Sequence, residues 1–145
     1  MNNIKNQLKK MFIICFLTQL LMACGADNKV EISEKKVAMD FFDAIYNQKN
    51  IKQALTLSSK KFKKEIKKYK TANNVARRLL HLQFNSVKMT TAAQKTQIID
   101  EYNTQITMTV VFTGKRSNGT FKDYKKIRLI KENDTWVVDK ILQDS

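Results

Sequence analysis

Hydrophobic positions fall into three regimes along the chain. Met11 to Ala23 (MFIICFLTQLLMA) is an apolar run of about 13 residues behind a polar, positive stretch, too short to cross a bilayer core of about 30 Å as a helix. From Val37 the period becomes three to four. Val37, Met39, Phe41, Phe42, Ile45 and Tyr46 predict an amphipathic helix over about Glu34–Asn47, with Ser33 as its N-cap and Glu34 facing the helix dipole. Asn47 to Asn50 breaks it. Ile51, Ala54, Leu55 and Leu57 predict a shorter second helix. Phe62, Ile66 and Tyr69 mark the apolar stripe of a third, capped by Ser58 or Ser59. Val75, Leu79 and Leu80 carry helical spacing on through Ala72–Leu82.

The period then drops to two. His81–Thr90 alternates as a strand, and Ala92–Lys95 reads as a turn. Ile98, Asp100, Tyr102, Thr104, Ile106, Met108, Val110 and Phe112 share one face of a long strand. Gly114–Gly119 contains Asn118-Gly119, a hairpin signal. Phe121–Lys131 is a further strand, Glu132-Asn133-Asp134 a tight turn, and Trp136–Leu142 the last strand. Helices first and a meander of about four antiparallel strands afterwards predict an α+β fold, with helices packed on one face of a curved sheet.

The first regime is a processing signal. Lys5, Lys9 and Lys10, a short apolar run and a small residue before the cut make a secretory signal peptide. Leu21-Met22-Ala23-Cys24, followed by Gly25, resembles the bacterial lipobox: an aliphatic residue at −3, a small one at −1 and cysteine at +1. Met22 is bulkier than the usual residue at −2. The resemblance implies cleavage before Cys24, diacylglycerol on its sulfur and usually a third acyl chain on the new amino group. Two or more chains give stable anchoring where one does not. Gly25 is not the aspartate associated with inner-membrane retention, so the analogy favours the periplasmic face of the outer membrane, or the outer face of the plasma membrane in a Gram-positive host. The expected layout is a signal peptide over 1–23, a lipidated tether over 24–33 and one α+β domain over 34–145. Cys15 leaves with the leader, so Cys24 has no disulfide partner.

Composition narrows the functional classes. The 145 residues hold 27 Lys and Arg against 13 Asp and Glu, an excess that attracts polyanions without specifying a fold. Anionic lipid head groups and cell-envelope phosphates are the expected polyanions, an envelope protein is a further candidate partner, and nucleic acid is disfavoured by the anchor. The densest cluster is Lys60, Lys61, Lys63, Lys64, Lys67, Lys68 and Lys70, a solvated helix face or a contact for an anionic surface.

Glu34–Asn50 (EKKVAMDFFDAIYNQKN), then ALTLSSKKF, then a meander ending DTWVVDKIL resembles the nuclear transport factor two-like fold, the cystatin-like α+β cone shared by many small bacterial lipoproteins. Phe41-Phe42-Asp43-Ala44 followed by Asn50-Ile51-Lys52-Gln53-Ala54 matches its opening, and Trp136-Val137-Val138 its final strand. The resemblance implies a sheet-and-helix cone and, in the enzymes of that superfamily, an Asp, His or Tyr inside it. Here the single histidine, His81, stands at a helix-to-strand junction without a carboxylate partner, and Asp43 reads as a surface or cap residue. Asp100, in phase with Ile98, is the candidate general base of a small isomerase or dehydratase, with Tyr102 or Tyr124 as hydrogen-bond donor. No zinc-ligand spacing, phosphate loop or nucleophile elbow is present, and no cofactor is expected. The leading expectation is a non-enzymatic, membrane-anchored module that binds a small apolar ligand or a protein.

Overall fold

The computed structural model describes residues 33–98, 104–117 and 119–142. The leader, Cys24 and nearly all of the tether therefore lie outside the described residues, as do Asp100 and Tyr102. Residues Glu31–Ser145 form a compact unit in themselves.

Among the described residues, five segments precede the sheet: α1 (Glu34–Tyr46), α2 (Ile51–Thr56), α3 (Lys60–Lys67), a single turn α4 (Ala72–Asn74) and a π-helical turn (Val75–Leu79) that continues it. Short polar side chains start each helix. The oxygens of Ser33, Asn50, Ser59 and Thr71 accept from the backbone N–H groups of Lys36, Gln53, Phe62 and Asn74 at 3.0–3.3 Å. With three glycines in the whole chain, helix ends are turned by ordinary residues. Lys49, Lys70 and His81 take φ of 54°, 65° and 51°, a region where L side chains are unfavourable.

The sheet is an antiparallel meander of β1 (Ser86–Ile98), β2 (Thr104–Arg116), β3 (Gly119–Glu132) and β4 (Thr135–Leu142), in spatial order β1-β2-β3-β4 among the described residues. The α+β expectation of helices followed by an antiparallel sheet holds. Several boundaries move. The expected strand over His81–Thr90 starts only at Ser86. Residues expected to turn, Ala92–Lys95, lie inside β1, which bulges between Thr91 and Gln94 instead of reversing. Ile98 belongs to β1 and pairs with Thr104, so the single long strand from Ile98 to Phe112 is two strands. Gly114 is interior to β2, and β2 and β3 pair as far as Arg116 and Gly119, so the expected turn over Gly114–Gly119 is shorter than that span. The turn after Glu132 is as expected: Asn133 and Asp134 take φ of 50° and 59° between the paired Glu132 and Thr135, the geometry that suits the twist of a hairpin.

Alternation on β2 sorts the sheet's two faces. Ile106, Met108, Val110 and Phe112 are fully or nearly fully buried, and register carries the same face through Ile127 and Leu129 of β3 and Val138 of β4. Onto this face α1 lays Phe41, Phe42, Ile45 and Tyr46. The Phe42 and Phe112 rings meet edge to face at 4.9 Å, and Tyr46 packs against both Phe84 and Phe112. Phe84 lies over Gly114, where an added Cβ would fall 2.7 Å from the Phe84 ring and 2.5 Å from the Ser86 carbonyl oxygen. The Tyr46 hydroxyl donates to the Leu82 carbonyl at 2.9 Å. Burial, and secondarily the charge of Asp123, push its ionisation far above the ordinary range.

One junction fastens α3 to the end of the sheet. The Ser59 N–H donates to the Val138 carbonyl, and the Val138 N–H donates to the Leu57 carbonyl. Next to Val138, Asp139 is the extra residue of a bulge against Arg128. Its carboxylate accepts from the Ser59 hydroxyl at 2.8 Å and from Arg128 Nε at 3.0 Å. Ser59 thus caps α3 and ties it to β4 in one side chain.

Candidate functional site

Beyond this junction the chain leaves a cleft of about 790 Å³. One wall is α3, through Phe62 and Glu65, with Tyr69 just after it. Another is the end of the π turn and the two residues after it, through Arg78, Leu79, Leu80 and His81. The sheet supplies Lys125 and Lys126 of β3 and Lys140, Ile141 and Leu142 of β4. The π turn is marked by the Leu80 N–H donating to the Val75 carbonyl five residues back, and it directs consecutive residues Arg78–His81 at the cleft. His81 then reverses the chain in its left-handed conformation.

Apolar and charged groups are segregated. Phe62 and Leu80 are buried in the floor, and Tyr69, Leu79, Ile141 and Leu142 are half-buried around them. Arg78, His81, Lys126 and Lys140 are exposed at the rim, Lys125 is half-buried, and Glu65 is the one carboxylate among the lining residues. The ion pairs among the described residues are Lys36–Asp40 and Arg128–Asp139, and neither involves a cleft cation. An apolar floor beneath convergent polar groups, in a volume of this size, is the usual form of a small-molecule site.

A second, shallower depression of about 470 Å³ lies on the opposite face of the sheet, around Thr109, Val111, Lys122 and Tyr124. Tyr124 pairs with Val111, out of phase with Phe112, and is 48% exposed. This corrects its expected role: it points away from the helices and cannot donate into a cavity beneath them. Asp100 and Tyr102, the other members of that candidate group, lie outside the described residues. Their inward placement rested on one continuous strand from Ile98, which the register replaces with two. Asp43 accepts from Asn47 Nδ2 and Gln48 Nε2 at the end of α1, the cap role expected of it.

The lysine helix folds with its apolar stripe inward. Phe62 and Ile66 are buried, Lys63 is half-buried, and Lys60, Lys61, Lys64, Lys67, Lys68 and Lys70 are exposed. No helix among the described residues is long and apolar enough to cross a membrane. His81 does reach a pocket, whose lining holds four basic residues and one carboxylate, Glu65. Arg78, Lys125, Lys126 and Lys140 are the basic cleft residues that sequence reasoning missed. The available signal was in β3, where the pair Lys125-Lys126 puts a charge on the face that otherwise carries Ile127 and Leu129.

No family model and no curated protein matches the sequence. Among solved structures, the chain is similar to the NMR solution structure of TraH, a candidate transfer protein from the Gram-positive conjugative plasmid pIP501. The TM-score is 0.50 at 10% identity, over 83% of this chain and 98% of that one. At that identity the likeness shows the shared fold and carries no activity across.

Proposed function

We propose that the protein is a lipid-anchored module of the cell envelope, held at a membrane through Cys24, whose domain is a non-enzymatic binder with its ligand site in the cleft between α3, the π turn and the ends of β3 and β4. The observation that carries the binding half is the cleft itself, an apolar floor under a cationic rim with room for a small molecule. The anchoring half rests on the leader and on Leu21-Met22-Ala23-Cys24-Gly25. On this reading the domain is a nuclear transport factor two-like cone, for which the order of helices and meander speaks, and its cleft is the mouth. The exposed lysines of α3 add positive charge beside that mouth, suited to an anionic surface.

The anchor is tested by mass spectrometry of the chain recovered from a bacterial host that processes lipoproteins. The expected product begins at Cys24 and carries acyl chains, and Cys24→Ala stays uncut and unacylated. A product cut elsewhere, or an unmodified Cys24, would remove the anchor from the reading.

A further inference from the structure

We infer that the cleft takes an anionic amphiphile, a molecule with a phosphate or carboxylate head on an aliphatic or aromatic body. The inference rests on the binding reading above and adds the chemical class of the ligand. Three observations carry it.

The first is where the charges come from. Arg78 belongs to the π turn, Lys125 and Lys126 to β3 and Lys140 to β4, so four basic residues line the cleft from three elements, Lys126 from the sheet face that Tyr124 shares. They are not one solvated helix face, as the α3 lysines are. Gathering like charges around one opening is unfavourable unless an anion offsets it, and among lining residues only Glu65 opposes them. The buried carboxylate of Asp139, next to Lys140 in sequence, is committed to Arg128.

The second is the floor. A site for a bare inorganic anion needs donors all round it. Here the anion's counterpart would sit above Phe62, Leu79, Leu80 and Ile141, which offer no donor and favour an apolar body. Tyr69, half-buried at the wall, presents a ring to the same body.

The third is the backbone. Two costly conformations occur in succession at the cleft, the π turn over Val75–Leu79 and the left-handed His81. Arg78, Leu79, Leu80 and His81, which end the π turn and follow it, all line the cleft. Conformations of this kind persist where surrounding structure holds them and are concentrated at functional sites.

The probe set is octyl phosphate, octyl glucoside and inorganic phosphate, titrated calorimetrically below micelle formation into Glu31–Ser145. This unit closes its own core between Val37 and Val138, and no buried side-chain nitrogen or oxygen among the described residues lacks a partner. Octyl phosphate is expected to bind at least about tenfold more tightly than either octyl glucoside or phosphate. Replacing the exposed pair Arg78→Gln and Lys140→Gln should cost octyl phosphate about tenfold and leave octyl glucoside unchanged. Ile141→Ser should weaken both octyl compounds. Melting curves of each variant show that the fold is kept. Octyl glucoside binding as tightly as octyl phosphate would overturn the anionic class while leaving a binding cleft in place. Phosphate alone binding as tightly would overturn the amphiphile and leave a free anion as the source. If no probe binds, both this inference and the small-ligand reading fall.

Discussion

Phe112→Ala is expected to cost about 3–5 kcal/mol of folding free energy, a large part of the roughly 5–15 kcal/mol that holds a domain of this size together. Phe112 is fully buried, and Phe42, Tyr46 and Phe84 all stack or pack edge-on against its ring. The helices therefore meet the sheet through this side chain. Truncation removes its transfer free energy and leaves a cavity that rigid aromatic neighbours fill poorly. Val111→Ala, one residue away on the opposite face, is the internal control and should cost about 1 kcal/mol or less. Urea unfolding of both variants checks the pair. Similar losses at 111 and 112 would mean that the sheet's buried face is misassigned.

Asp139→Ala is the second large expected effect, about 2–3 kcal/mol. Removing one partner of a buried pair leaves the other without compensation, and the figure is set below the fully buried case because the Arg128 side chain is 30% exposed. The carboxylate serves two donors, so the substitution also strips the Ser59 hydroxyl of its acceptor while the cap to Phe62 survives. Ser59→Ala should cost about 1 kcal/mol as a lost cap. The double variant should cost less than the sum, because Ser59 and Asp139 share a bond. Strict additivity in urea unfolding would mean that the two do not act together. The junction matters for the cleft as well: α3 forms one wall and Lys140–Leu142 another, and Ser59–Asp139 joins the two backbone bonds of Val138 in fastening them.

Legibility of the fold differed by element. Helix α1 was readable because its apolar stripe and its Ser33 cap agree. On β2, strict alternation of Ile106, Met108, Val110 and Phe112 announced the buried face. The segment Ala92–Lys95 misled because two consecutive alanines and polar neighbours resemble a turn, whereas the chain absorbs them as a bulge in an edge strand. Extending the β2 pattern back to Ile98 failed because a period of two continues in phase across a hairpin when the loop length permits it. Asp100 and Tyr102 entered the candidate site through that continuation, and Tyr124 entered without a register to show that it faces outward.

The cleft was illegible for a different reason. Arg78, Lys125 and Lys140 are far apart in sequence, and each alone reads as a surface charge. Only the meander's register and the π turn bring them to one opening. By contrast the lysine helix was conspicuous in sequence and became, in the structure, the outer wall of the site rather than the site itself.

The central claim is that this cleft, and not the outer face of the sheet, is where the domain binds. Methyl-resolved NMR of Glu31–Ser145 during addition of octyl phosphate locates binding residue by residue. The account predicts shifts concentrated at Leu79, Leu80, Ile141 and Leu142, which line the cleft, with Val111 on the opposite face unmoved. Shifts centred on Val111 and Ala92, with the four cleft residues silent, would contradict it.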